Sequence, residues 1–151
     1  MTRLTMGLVA AWVVLLVASQ ARDLLPASWW FDPGTLAIED TVRGACPPAL
    51  WSREIRRPFA GRWTAAVQRY AGGAEWRHVA TFSGAANYRP DAALPRDLSL
   101  AWFLGIDRQG CDWPPGEYRV VTSWEIRPAS GPPRRAAMVS APFQIMPSLG
   151  G

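Results

Sequence analysis

Beyond residue 34, apolar and polar positions alternate with a period of two, the mark of half-buried strands rather than of helices. The cleanest run is 117–127. Tyr118, Val120, Thr122, Trp124 and Ile126 fall on one face, and Arg119, Val121, Ser123, Glu125 and Arg127 on the other. Further strands are expected at 35–42, at 51–57 before Pro58, at 63–70 before Gly72 and Gly73, and at 75–88, where Trp76, His78, Ala80 and Phe82 share a face. Leu98, Leu100, Trp102 and Leu104 alternate with Ser99, Ala101 and Phe103, which predicts another strand. A last strand gathers Val139, Ala141, Phe143 and Ile145, and Pro142 on the opposite parity marks it as an edge strand. About seven strands joined by turn-rich loops fit an all-β, two-sheet β-sandwich over 35–147, with residues 148–151 as a tail.

The first segment follows a different pattern. Arg3 precedes an uncharged stretch, 4–21, whose centre from Gly7 to Val17 is strongly apolar, and Arg22 and Asp23 close it. Eighteen helical residues rise about 27 Å, against a hydrocarbon core of about 30 Å. Residues 1–21 therefore read either as an uncleaved signal anchor, the favoured reading, or as a signal peptide cut after Ser19-Gln20-Ala21. Residues 22–34 read as a juxtamembrane connector. Within it Trp29, Trp30 and Phe31 suit the membrane interface, where aromatic rings sit at headgroup level. The basic start places the N-terminus in the cytoplasm and the sandwich in the periplasm or outside the cell, as a single-pass inner-membrane protein. Cleavage near Ala21 would instead make it secreted.

Composition changes this picture little. The chain has 151 residues, 49% hydrophobic and 19% charged, with nine Trp, three Tyr and five Phe to build a core. All 16 basic residues are Arg, and with 23 Ala, 13 Gly and 14 Pro they reflect GC-rich codons. The net charge is only +4 and the Arg residues are spread along the chain, so no nucleic-acid partner is expected.

Candidate chemistry is sparse. Cys46 and Cys111 both lie beside Pro-rich turns, and in an oxidising compartment they are expected to form a disulfide. Two cysteines without CxxC spacing do not make a metal site. His78 is the one histidine, and its strand face predicts a packed structural role. No G-x-S-x-G elbow is present, and the absence of Lys rules out a phosphate-binding P-loop and Schiff-base chemistry. Asp91, Asp97, Asp107, Asp112 and Glu117 sit in or beside turns, where such residues are ordinary. No catalytic, cofactor or metal set is expected. The densest basic cluster, Arg53, Arg56, Arg57 and Arg62, lies near Trp51, Phe59 and Trp63. Arg and Trp are the residue types that anchor protein interfaces, so these seven are the candidate partner-binding residues.

The run Pro114-Pro115-Gly116-Glu117-Tyr118-Arg119-Val120-Val121 resembles bacterial immunoglobulin-like and fibronectin-like modules. There a Pro/Gly turn opens a strand with a Tyr whose hydroxyl ties back to nearby backbone. The apolar start followed by Ile55-Arg56-Arg57-Pro58-Phe59-Ala60-Gly61-Arg62-Trp63 resembles small uncharacterised membrane-anchored proteins of bacterial and prophage genomes. The resemblance implies a single immunoglobulin-like exported domain. The expected function is non-enzymatic: a membrane-tethered module binding another cell-envelope component, most plausibly a protein, in an accessory or assembly role. A prophage-encoded envelope protein linked to lysis or exclusion, and a small hydrolase with an unusual site, are the alternatives.

Overall fold

β6 (Gly116–Arg127) is the spine of the larger sheet. In the computed structural model, which describes residues 12–18 and 23–148, its five inward residues Tyr118, Val120, Thr122, Trp124 and Ile126 are all buried, as the alternation predicts. β4 (Phe59–Gly72) pairs antiparallel with β6, and β5 (Glu75–Tyr88) returns along β4 through a turn at Gly72 and Gly73. Both glycines have positive φ, the conformation this reversal needs. On the far side of β6, β7 (Arg134–Val139) and β8 (Phe143–Met146) lie end to end, with the two-residue β2 (Thr41–Val42) parallel to β8. β1 (Phe31–Ile38) and β3 (Ala49–Ile55) form a second, antiparallel sheet.

The two sheets pack as a sandwich because each offers one apolar face. Phe31 meets Trp124 edge to face at 5.2 Å, and Trp51 stacks on Trp124 at 5.9 Å. Leu36, Val67, Tyr118 and Phe143 fill the space between. Each such side chain contributes about 1.5–3 kcal/mol of burial. β5 is the open edge: among the described residues it pairs only with β4.

Four expectations are corrected. The first strand begins at Phe31, inside the expected connector 22–34. Asp32-Pro33-Gly34 reads as a turn but forms a bulge within β1, where the pairing slips by one residue between Asp32↔Glu54 and Thr35↔Ser52. Asp32 Oδ1 accepts from Gly34 N at 2.9 Å, and Trp51 Nε1 donates to Pro33 O at 2.8 Å. Residues 39–40 then separate β1 from β2, so 35–42 is not one strand.

Trp30 and Phe31 were expected at the membrane interface, but they are 9% and 1% exposed in the core. Only Trp29 of the trio is exposed. The segment before β1 is held against the domain: Arg134 Nε donates to Leu25 O at 2.6 Å and Arg56 Nη1 to Ser28 O at 2.9 Å.

Residues around 98–104 form a helix, α1 (Leu100–Leu104), and not a strand. Its buried residues are Leu100, Ala101, Phe103 and Leu104, a helical set, while Trp102 is exposed. Ser99 caps its start by accepting from Trp102 N, and Gly105 closes it in the left-handed conformation.

The last strand is two. β7 pairs as Val121↔Val139, but β8 pairs as Tyr118↔Phe143, so one extra residue is inserted between them. That insertion reverses which parity faces inward. Met138, Phe143 and Ile145 are buried, whereas Val139 is 54% exposed. β8 lies between β2 and β6, so it is not an edge strand, and Pro142 stands in the break.

Two further links fasten the loops. Tyr118 Oη donates to Pro114 O at 2.6 Å, the tie anticipated for the Tyr that opens β6. Cys46 and Cys111 form a disulfide with Cα atoms 5.2 Å apart. Of the expected segment 1–21, residues 12–18 are helical and exposed, and the remainder lies outside the described residues. Among the described residues no helix is long and apolar enough to cross a membrane.

Candidate functional site

β3 places Trp51, Arg53 and Ile55 on its inward face and Ser52 and Glu54 outward. An arginine therefore enters the layer between the sheets, flanked by two buried apolar residues. It opens onto a cavity of about 280 Å³ bounded by β3, the end of β5 and α1. Trp51, Trp63, Tyr88, Trp102, Phe103 and Trp124 supply aromatic walls, and Asn87 and Thr122 supply polar groups. Trp102 stands exposed at the mouth.

Local sequence explains how the walls fit. Trp63 faces Gly84 across β4 and β5, and a Cβ at Gly84 would lie 2.8 Å from the indole ring. The cap of α1 serves the same end, since Gly105 lies beside that ring. Phe103 meets Trp51 edge to face at 5.0 Å, which fixes the helix as a roof. Backbone bonds from Ala49 N to Leu98 O and from Leu100 N to Pro47 O anchor the roof to the start of β3.

The electrostatics are those of a single sheltered cation. Arg53 lies 4.8 Å over the Trp51 ring and 6.0 Å from that of Tyr88. It makes no ion pair or side-chain hydrogen bond among the described residues. Burial pulls its pKa below the ordinary arginine value, partly offset by Tyr88, yet a guanidinium remains charged at any physiological pH. Burial also pushes the Tyr88 phenol up, with Trp124 and the Arg53 charge acting against it. No carboxylate lines the cavity. Thr122 is 1% exposed, and its Oγ1 is the one buried side-chain polar atom without a hydrogen-bond partner among the described residues.

Comparison with protein-family models, with curated proteins and with solved structures gives no match.

Of the seven candidate partner-binding residues, three converge on the cleft: Trp51, Arg53 and Trp63. Phe59 lies behind it in the core, stacked on Tyr88 at 4.6 Å. Arg56 pairs with Glu54 and Asp32, and that carboxylate hydrogen bond raises its pKa. Arg57 covers the Trp29 ring at 4.4 Å. Arg62 points to the outer face of the larger sheet, with Thr64, Ser123, Glu125 and Arg135. The cluster in sequence is thus divided by strand parity.

Asn87, Tyr88, Trp102, Phe103, Thr122 and Trp124 were not recognised as site residues. Two signals stood in the sequence: Arg53 on the inward parity between Trp51 and Ile55, and Thr122 within the apolar row of β6. His78 was expected to be packed, but it is exposed on β5, outside the cleft, hydrogen-bonded to Thr81 Oγ1 at 2.7 Å. Among the described residues no group of three His, Cys, Asp or Glu side chains is placed to hold a metal.

Proposed function

We propose that this chain is a non-enzymatic, immunoglobulin-like binding module, tethered by its N-terminal apolar segment outside the cytoplasmic membrane. Its aromatic cleft receives another cell-envelope protein. The observation that carries this reading is Arg53, a half-buried guanidinium with no counter-charge among the described residues, held between aromatic faces. A half-buried cation without a partner loses part of its hydration, and an external partner can offset that cost. Arg, Trp and Tyr are also the residues that dominate interface energetics. The disulfide supports an oxidising, exported setting. The Tyr118 tie to Pro114 supports the immunoglobulin-like reading, because it has the form of a tyrosine corner.

The test is photocrosslinking in intact cells of the source organism, with a photoreactive aromatic residue in place of Trp102. The expected result is one discrete adduct with an envelope protein, lost when Arg53→Gln is added. An adduct indifferent to Arg53, or none, overturns the proposal.

A further inference from the structure

The chemistry of the cleft also specifies its ligand, on the reading that the cleft is where the partner docks. The geometry points to a polypeptide carboxyl terminus, ending in an aromatic or large aliphatic residue, as the group that enters beside Arg53. Three features of the site converge on it.

The cation is single and planar. Arg53 offers a fork of N–H donors that matches a carboxylate, and no lining carboxylate competes for it. A phosphate dianion would call for more positive charge than one guanidinium. A neutral sugar would call for acidic and amide acceptors, where the lining offers only Asn87 and Thr122 beyond the cation and the Tyr and Trp tips.

The walls are apolar and the space is small. Six aromatic rings line a cavity of about 280 Å³, at the lower end of ligand pockets. That is room for one ring-bearing or branched side chain, not for a polymer. Thr122 lies at the base of this lining, with its hydroxyl sealed from solvent.

The third feature favours a polypeptide over a free acid. Ala86, Asn87 and Tyr88 at the end of β5 line the cleft. Among the described residues the outer edge of β5 is unpaired along its 14 residues, and 79–87 carries no charge and no proline to block strand addition. A chain leaving the cleft therefore meets free backbone donors and acceptors, as in recognition by β-strand addition.

The test is calorimetric titration of the full-length oxidised chain in detergent with acetyl-Ala-Thr-Ala-X peptides, X being Phe, Trp or Leu. Each peptide is supplied as the free acid and as the carboxamide, with phenylacetate as a separate ligand. The acid of at least one peptide is expected to bind about ten- to a hundred-fold tighter than its amide, the range of a hydrogen bond to a charged group. Arg53→Gln should abolish that preference with the melting temperature held within a few degrees, and Arg53→Lys should restore part of it. Phenylacetate should bind more weakly than the peptide. Equal binding of acid and amide, or an acid preference that survives Arg53→Gln, overturns the carboxylate assignment. Phenylacetate binding as tightly as the peptides overturns the polypeptide. If no peptide binds while the Arg53-dependent crosslink from Trp102 persists, the terminal-residue chemistry is wrong and the partner reading stands. If the crosslink is absent as well, both fall.

Discussion

Replacing Thr122 by Val should make the protein more stable. Thr122 lies on β6 between Ala65 of β4 and Met138 of β7, is 1% exposed, and carries a hydroxyl with no partner. Val keeps the branched shape, so the strand conformation and the packing of the methyl are retained. What is removed is a buried, unsatisfied hydroxyl, a penalty of about 1–3 kcal/mol in proteins. Taking the lower part of that range, the gain is about 1–2 kcal/mol. For a folded unit of about 125 residues, an unfolding entropy near 2.1 cal/mol/K per residue makes each kcal/mol worth about 4 °C. The expected rise in Tm is therefore about 4–8 °C, read by calorimetry on the oxidised chain. Thr122→Ser keeps the hydroxyl and deletes the methyl, and should lower Tm instead. A fall in Tm for Thr122→Val would show that the hydroxyl is satisfied in the free protein.

Three other outcomes are expected. Exchanging both Cys46 and Cys111 for Ser opens a loop of 65 residues and should cost about 4 kcal/mol in the chain-entropy treatment, measured by urea unfolding. Gly34→Ala should cost at least about 2 kcal/mol, because φ is +60° and the new Cβ would lie 1.5 Å from Ser52 O; an unchanged urea midpoint would show that the bulge is not rigid. Tyr118→Phe should cost about 1 kcal/mol through the orphaned Pro114 carbonyl. Burial raises the Tyr118 pKa above the ordinary value of 10.0. The folded chain thus keeps a proton that the unfolded chain has lost, so stability holds below about pH 10 and falls as pH climbs toward the raised value. The same variant should make that alkaline decline shallower, as seen in unfolding curves from pH 8 to 11.5.

Where one physical rule governed a stretch, that stretch was legible. β6 alternates without interruption because β4 pairs along it in steady register, and β5 was found with its observed bounds. The disulfide followed from cysteine count and compartment. The misreadings have local causes. A bulge made from Asp32, Pro33 and Gly34 has the composition of a loop, which hid the start of β1 and sent Trp30 and Phe31 to the membrane. In α1 the apolar run 100–104 satisfies a period of two as well as a helical one. The caps Ser99 and Gly105 were the evidence that could have decided between them. A single inserted residue between β7 and β8 shifts the parity, and no alternation count detects such a shift. The site was legible only in part. Arg53 was named through its place in the basic cluster near Trp51 and Trp63, but that Asn87, Trp102 and Thr122 meet it depends on which strands become neighbours.

The covalent loop closed by Cys46 and Cys111 encloses β3, β4, β5 and α1. Every residue lining the cleft except Thr122 and Trp124 lies within that loop. Oxidation therefore does more than add stability, because it joins the roof of the cleft to the chain that forms its walls. In the reduced chain this ring is open, and the roof is held to the start of β3 by noncovalent contacts such as the backbone bonds from Ala49 N to Leu98 O and from Leu100 N to Pro47 O.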